Sequence, residues 1–218
     1  MKGNLMTMSR ILSKKQVDAV LDLLDEAYPE AGCALLYGNH FELLCAVMLS
    51  AQTTDVSVNR ITPNLFSSYP NAEAMAKADA VDLENIIRSI GLYKNKSRNL
   101  IRMSQALVEQ YDGEIPGDYN QLTELPGVGR KTANVVLAEG FHEQRIAVDT
   151  HVFRVTNRIG MADSTDVLKT EKQLMEQIRQ ERWTRAHHLL IFHGRNCCKA
   201  RKPECEKCPV QDICLKRI

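Results

Sequence analysis

Four cysteines close to the C-terminus constrain this chain more than any other feature. Cys198, Cys205, Cys208 and Cys214 follow one another as C-x6-C-x2-C-x5-C within HGRNCCKARKPECEKCPVQDIC. Thiolates at this density draw a short loop around a soft metal centre, either zinc or an iron–sulfur cluster, and the spacing leaves both open. The surrounding stretch is basic. Arg185, Arg195, Lys199, Arg201, Lys202, Lys207, Lys216 and Arg217 outnumber Glu204, Glu206 and Asp212. The metal loop is therefore expected near a polyanion. The chain has 7 cysteines and no visible secretion signal, which argues for a reducing cytosol and for metal ligation over disulfides. Cys33 and Cys45 read as small buried hydrophobes.

At 218 residues the chain can form one large domain or two small ones. No apolar run is long enough to span a bilayer, so no membrane partner is expected. The net charge of +1 hides a segregated distribution. The first helical segment carries Asp18, Asp22, Asp25 and Glu26, whereas Ile86 to Arg102 carries Arg88, Lys94, Lys96, Arg98 and Arg102 with no acid. Opposed faces of this kind suit a nucleic-acid partner better than the total charge implies.

The apolar residues recur at helical spacing nearly throughout. Ser13 and Gln16 form a capping-box pattern ahead of Val17, Val20, Leu21, Leu24 and Tyr28. Phe41 to Leu49 is apolar all round and belongs at the centre of a core. Asp55 is the expected cap of the next helix, with Val58, Ile61 and Leu65 turned inward. A helix over Leu83 to Ile90 should end at Gly91, a favourable C′ residue. Further helices are expected over Lys96 to Tyr111, Arg130 to Glu139, Thr150 to Arg158, Val167 to Gln180 and Arg182 to His193. Only Arg145 to Val148 comes near a strand pattern. The fold class that follows is all-α.

Residues 122–140 read LTELPGVGRKTANVVLAEG. Pro126 stops a short helix, and a new helix starts directly after Gly129. Gly127 and Gly129 permit positive φ and leave backbone N–H groups uncovered beside a helix N-terminus, around Val128. A backbone phosphate fits there, and such a contact is blind to base sequence. This is the helix–hairpin–helix pattern.

Arg130 and Lys131 then place two cations in the first turn of a helix, where the macrodipole disfavours them. Such violations tend to mark function. Both could bind phosphate. Alternatively Lys131, partly buried and beside a guanidinium, would have a depressed pKa and serve as a Schiff-base nucleophile. Asp149, in IAVDTH, stands where an N-cap belongs. A cap uses only part of a carboxylate's acceptor capacity, so the same group could also stabilise positive charge. His151, His187, His188 and His193 lie near apolar residues and are expected to be structural.

Lysine, aspartate, hairpin and four-cysteine loop occur in an order that resembles the endonuclease III family of DNA glycosylases. FELLCAVMLSAQTTDVSVNR, IGLYKNKSRNL, LPGVGRKTANVVL, IAVDTHVFRV and the cysteine tail all look like that family. The resemblance implies a [4Fe–4S] cluster, held by Cys198, Cys205, Cys208 and Cys214. It implies a helix–hairpin–helix glycosylase fold of two helical domains flanking a cleft. The central six-helix domain would span 33–143 and contain the hairpin at 122–140. The second would combine 1–32 with 144–218 and carry the cluster loop, 198–214. Lys131 matches the family's Schiff-base lysine and Asp149 its catalytic aspartate. Gln52 matches the glutamine that fills the space left by an extruded nucleotide, and Leu92 the wedge on the other side. Gly127, Val128, Gly129, Arg130, Lys199 and Arg201 complete the expected DNA contacts. Cys197 departs from the spacing and is read as a non-ligand.

The implied activity is bifunctional. A damaged base, an oxidised or ring-saturated pyrimidine in this family, leaves duplex DNA, and the strand is cut 3′ to the abasic site by β-elimination. The expected partner is double-stranded DNA, the expected state a monomer, and the expected location the cytoplasm, on the nucleoid. Three other readings stand beside this one. A monofunctional glycosylase of the superfamily would normally lack the lysine at 131 and carry an extra C-terminal domain. A non-catalytic iron–sulfur DNA-binding protein would need no Lys–Asp pair. A zinc-stapled DNA module would be colourless.

Overall fold

In the computed structural model, which describes residues 11–217, the chain forms two compact units. One is Cys33–Glu143. The other comprises the described residues of Met1–Gly32 and Gln144–Ile218. Met1 to Arg10, assigned above to the second domain, lie outside the described residues. All regular structure among the described residues is helical: α1 (Lys14–Ala27), α2 (His40–Leu49), α3 (Asp55–Ser68), α4 (Ala72–Ala76), α5 (Ala80–Ile87), α6 (Tyr93–Tyr111), α7 (Tyr119–Glu124), α8 (Arg130–Gly140), α9 (Thr150–Ile159), α10 (Val167–Gln177) and α11 (Trp183–Asn196), with two short 3-10 turns. None of these helices is long and apolar enough to cross a membrane.

Cys33–Glu143 holds α2 to α8, in which the five-residue α4 stands beside the six helices that the resemblance implies. Its core is built on α2, where Leu43, Leu44, Cys45, Ala46 and Leu49 are fully buried. Each buried leucine contributes roughly 1.5–3 kcal/mol, which is why a run apolar on all sides becomes the centre. The Asp55 cap is corrected. Thr54 is the N-cap, accepting from the Ser57 N–H at 3.2 Å, and Asp55 is the first helical residue. Pro63 lies inside α3. The Gly91 C′ assignment is also corrected. Helix α5 ends at Ile87, and the left-handed residue of the following turn is Leu92 at φ 60°.

The other unit packs Val17, Val20, Leu21 and Leu24 of α1 against Val152 and Val155 of α9 and Leu189 and Leu190 of α11. Gly194 allows the close approach of α9 and α11: a Cβ there would lie 3.0 Å from Val155 and 3.1 Å from His151. The capping box of α1 forms as the sequence predicts, with the Ser13 N–H bonded to Gln16 Oε1 at 3.0 Å. Its acidic face is paired in part. Arg182 reaches Asp18 at 3.2 Å and Asp22 at 2.8 Å, and Arg185 pairs with Asp25. Half-exposed ion pairs contribute at most about 1 kcal/mol each. The apolar contacts therefore hold α1, and the pairs neutralise it.

Candidate functional site

The hairpin forms at α7–α8. Gly127 adopts φ +80°, and a Cβ there would stand 2.9 Å from Asn99 Cβ on α6, so the turn needs glycine twice over. Gly129 is the N-cap of α8, with no side chain capping the helix and nothing within 4 Å of where a Cβ would stand. The first turn thus presents its N–H groups as an anion site. Val128 contributes differently from the expectation. Its side chain is buried, and its N–H bonds the Leu125 carbonyl at 3.0 Å. Its part is to anchor the turn to the core, leaving Gly127 and Gly129 as the open backbone.

Arg130 and Lys131 diverge. The Arg130 guanidinium bonds the Tyr119 hydroxyl at 3.1 Å and lies 5.7 Å from that ring's centre. Lys131 is exposed, not partly buried as expected, because the second residue of α8 faces away from the core stripe formed by Ala133, Val136 and Leu137. Its amine is reachable by a large substrate.

Gln52 and Leu92 are both exposed, and both adopt left-handed backbone, at φ 54° and φ 60°. For residues other than glycine this conformation costs roughly 1–2 kcal/mol. It persists only where the surroundings over-determine it, and it concentrates at functional sites. The two turns adjoin: a Cβ on Gly91 would meet the Gln52 carbonyl oxygen at 3.9 Å. Between them lies a residue placed wrongly by the charge pattern. Arg88, Lys94, Arg98 and Arg102 are exposed, but Lys96 is buried. Its Nζ donates to the Leu49 carbonyl at 2.9 Å and the Thr53 hydroxyl at 2.7 Å. Burial pushes its pKa down.

Asp149 caps α9. Its Oδ1 accepts from the N–H groups of His151 and Val152, both at 2.8 Å, which leaves Oδ2 uncommitted to the cap. Further along the same helix, Arg154 donates to the carbonyls of Gly194 and Cys198, at 2.9 and 3.1 Å. Arg158 donates to Lys199 at 2.7 Å and Ala200 at 3.0 Å. These two arginines tie the start of the cysteine loop to α9. The sequence reading passed over them, although their i, i+4 spacing was visible.

Cys198, Cys205, Cys208 and Cys214 line one pocket with Ile159 and Pro203. The Lys216 N–H points at Cys214 Sγ, at 3.3 Å, and Arg158 lies 3.9 Å from Cys198 Sγ. Donors of this kind stabilise thiolates, so the residues fit a thiolate-bound cluster. Cys197 is close, since its sulfur, His193 and Cys208 lie within 4.8 Å of one another. Its chemistry differs. Burial pushes Cys208 and Cys214 up, but backbone N–H groups pull them back. Burial and then the Cys208 charge push Cys197 up to about 12 with nothing opposing. The Cys197 thiol donates to the Glu204 carbonyl at 3.5 Å. His193 is buried and neutral, lowered to about 4 by burial, and its Nδ1 lies 3.2 Å from the Tyr28 hydroxyl. His187 Nδ1 bonds the Ala147 carbonyl at 2.8 Å. Lys199 pairs with Glu204, and Arg201 is exposed.

Comparison with known proteins now bears on this geometry. Residues 45–180 match the HhH-GPD superfamily base excision DNA repair proteins, and residues 198–214 match the iron-sulfur binding domain of endonuclease III. That second match begins at Cys198 and leaves Cys197 outside. Endonuclease III of Bacillus subtilis (strain 168) is 46% identical over 205 residues, covering 94% of each chain. Endonuclease III of Escherichia coli (strain K12) is 45% identical over 195 residues, covering 89% of this chain and 92% of that one. A solved structure of a trapped endonuclease III–DNA covalent intermediate, an estranged-adenine complex, aligns with a TM-score of 0.91 at 46% identity, covering 94% of this chain and 97% of that one. A thermostable thymine-DNA glycosylase at 21% identity and a TM-score of 0.83 shares the fold.

Proposed function

The chain belongs to the endonuclease III family of DNA base-excision repair enzymes, with a [4Fe–4S] cofactor, and from that premise we propose that Lys131 is its nucleophile and Asp149 its charge-stabilising carboxylate. The chain is a DNA glycosylase and abasic-site lyase acting on double-stranded DNA. The observation that carries the assignment of Lys131 is its exposed amine, one residue into a helix that begins at an uncapped glycine hairpin. A relative at 46% identity trapped as a covalent intermediate with DNA supports lysine chemistry of this kind.

The steps follow from those groups. Phosphates dock on the N–H groups of Gly127, Gly129 and the first turn of α8, with Arg98 and Arg201 adding charge. Gln52 and Leu92 occupy the stack on either side of the extruded nucleotide. The Lys131 ammonium gives up a proton, which the departing base takes up, and its nitrogen bonds to C1′ as the C1′–N bond breaks and the base leaves with the bond electrons. The positive charge that builds on the sugar is stabilised by Asp149 through Oδ2. Ring opening gives an iminium ion. Loss of a C2′ proton then expels the 3′ phosphate, and hydrolysis of the imine releases the lysine. Cys198, Cys205, Cys208 and Cys214 would hold the cluster, which folds residues 198–214 and so presents Lys199 and Arg201. Oxidised pyrimidines are the proposed substrates, and the cytoplasm, on the nucleoid, the proposed location.

Borohydride trapping on a labelled duplex bearing one oxidised pyrimidine tests the assignment. The wild-type chain should form a covalent adduct. Lys131→Gln should form none, while still shifting the duplex in a binding assay. Adduct at the wild-type level in Lys131→Gln would remove Lys131 from the role.

A further inference from the structure

We propose that Lys96 is a positioning residue for base extrusion: its buried ammonium bridges the two ends of the turn that presents Gln52 and holds that turn in its left-handed form. The proposal rests on the glycosylase reading above and assigns a further residue to it.

Lysine is rarely buried unless its donors are engaged. Lys96 engages two, one on each side of Gln52: the Leu49 carbonyl at 2.9 Å and the Thr53 hydroxyl at 2.7 Å. Leu49 is the last residue of α2. A cation at a helix C-terminus satisfies an orphan carbonyl and the macrodipole together. Within the turn, the Thr53 N–H bonds Ser50 at 3.0 Å and the Ala51 N–H reaches Met48 at 3.4 Å. The Ser50 N–H bonds the Ala46 carbonyl at 2.9 Å, the Ser50 hydroxyl the Val47 carbonyl at 2.8 Å, and the Thr53 hydroxyl reaches the Ala51 carbonyl at 3.4 Å, but none of these bonds is made by Gln52. Gln52 is exposed and lies on the unfavourable side of φ. The ammonium clamp adds a restraint from a separate helix to both ends of that turn.

The clamp belongs to a larger device. Lys96 and Asn99 are three residues apart on α6 and so share a face. Lys96 grips the Gln52 turn, Asn99 packs beneath Gly127 of the hairpin, and Leu92 begins the same helix. One rigid helix thus fixes the spacing between the phosphate grip and both stack-filling residues. A lysine that only neutralised phosphate would face outward, as Lys94 and Arg98 do.

The test is a double-mutant cycle between Lys96→Met and Gln52→Ala, in single turnover on a duplex with one oxidised pyrimidine. A 2-aminopurine beside the lesion reports unstacking. Lys96→Met should slow duplex excision about tenfold, the equivalent of one charge-assisted hydrogen bond. It should brighten the 2-aminopurine less than wild type does. Gln52→Ala should cost a similar factor, and the double variant no more than either alone, because both act through one side chain. On an abasic site in single-stranded DNA, where no stack has to be filled, Lys96→Met should cut at the wild-type rate. Thr53→Val, which removes one of the two acceptors outside the core, should give a smaller loss of the same pattern. It also carries the test if Lys96→Met melts below the assay temperature. Multiplicative losses in the cycle, or equal losses on single-stranded and duplex substrates, would overturn the proposal. So would wild-type behaviour of Lys96→Met or of Thr53→Val. If the wild-type chain itself excises nothing, the glycosylase reading fails first and takes this one with it.

Discussion

Asp149 accepts both capping hydrogen bonds on Oδ1, so the cap and the charge-stabilising role proposed for it call on different oxygens of one carboxylate. Asparagine keeps the carbonyl that caps and loses the charge. Asp149→Asn should therefore melt within about 1 kcal/mol of wild type, whereas Asp149→Ala should lose roughly 0.5–2 kcal/mol with the cap. Base excision by Asp149→Asn should slow by about 10²–10⁴-fold. Cutting at a pre-formed abasic site should slow less, because that substrate already offers an aldehyde and builds no charge through base departure. Single-turnover rates on matched duplexes make the comparison. Equal losses on both substrates would mean that the carboxylate serves the protonation of Lys131 instead. Asp149 was legible in the sequence as a cap. The sharing of Oδ1 was not, because it depends on the side-chain rotamer.

Among the elements, the hairpin offers a matched pair of glycines. Gly127 is held at φ +80° against Asn99, whereas Gly129 has φ −97° and open space where a Cβ would stand. Gly127→Ala should lower stability by about 1–3 kcal/mol through strain. Gly129→Ala should lose no more than about 1 kcal/mol, the N-cap preference for glycine over alanine, and yet bind DNA more weakly, since its methyl group stands where a phosphate approaches. Thermal melting and fluorescence anisotropy separate the two. Unchanged affinity in Gly129→Ala would mean that the first turn of α8 is not the phosphate site. Elements set by local chemistry were readable in advance. The Ser13 and Gln16 box forms as expected, α6 ends at the expected Tyr111, and α9 starts at the expected Thr150. What escaped the sequence depends on tertiary contacts. Helix α6 starts at Tyr93, three residues before the expected Lys96, because the chain enters it from the left-handed Leu92. Helix α10 stops at Gln177, three residues early, and α11 runs on past His193 to Asn196. Lys96 was counted as surface charge because a run of basic residues does not disclose which of them finds a carbonyl inside.

For the whole molecule, a net charge of +1 would ordinarily argue against tight binding to DNA. Three acids of α1 are matched locally, since Arg182 and Arg185 hold Asp18, Asp22 and Asp25. Log affinity for DNA should fall linearly with log salt, and Arg98→Glu or Arg201→Glu should flatten that slope by about 1. Arg182→Glu should lower the melting temperature and leave the slope unchanged. A slope insensitive to Arg98 and Arg201 would place the DNA on another face. Metal analysis should find about four irons per chain. Serine at Cys198, Cys205, Cys208 or Cys214 should lower that content, and serine at Cys197 should not. A zinc-only result from anaerobically prepared protein would reject the iron assignment. The pairs between α1 and α11 also impose a timetable. Asp25 and Arg185 are separated by 160 positions, and synthesis runs from the N-terminus. The ribosome has finished Cys33–Glu143 before the first partner of α1 exists, so that unit can close on itself early. Helix α1 must wait until α9 and then α11 emerge to cover its apolar face, and the cysteine loop follows them.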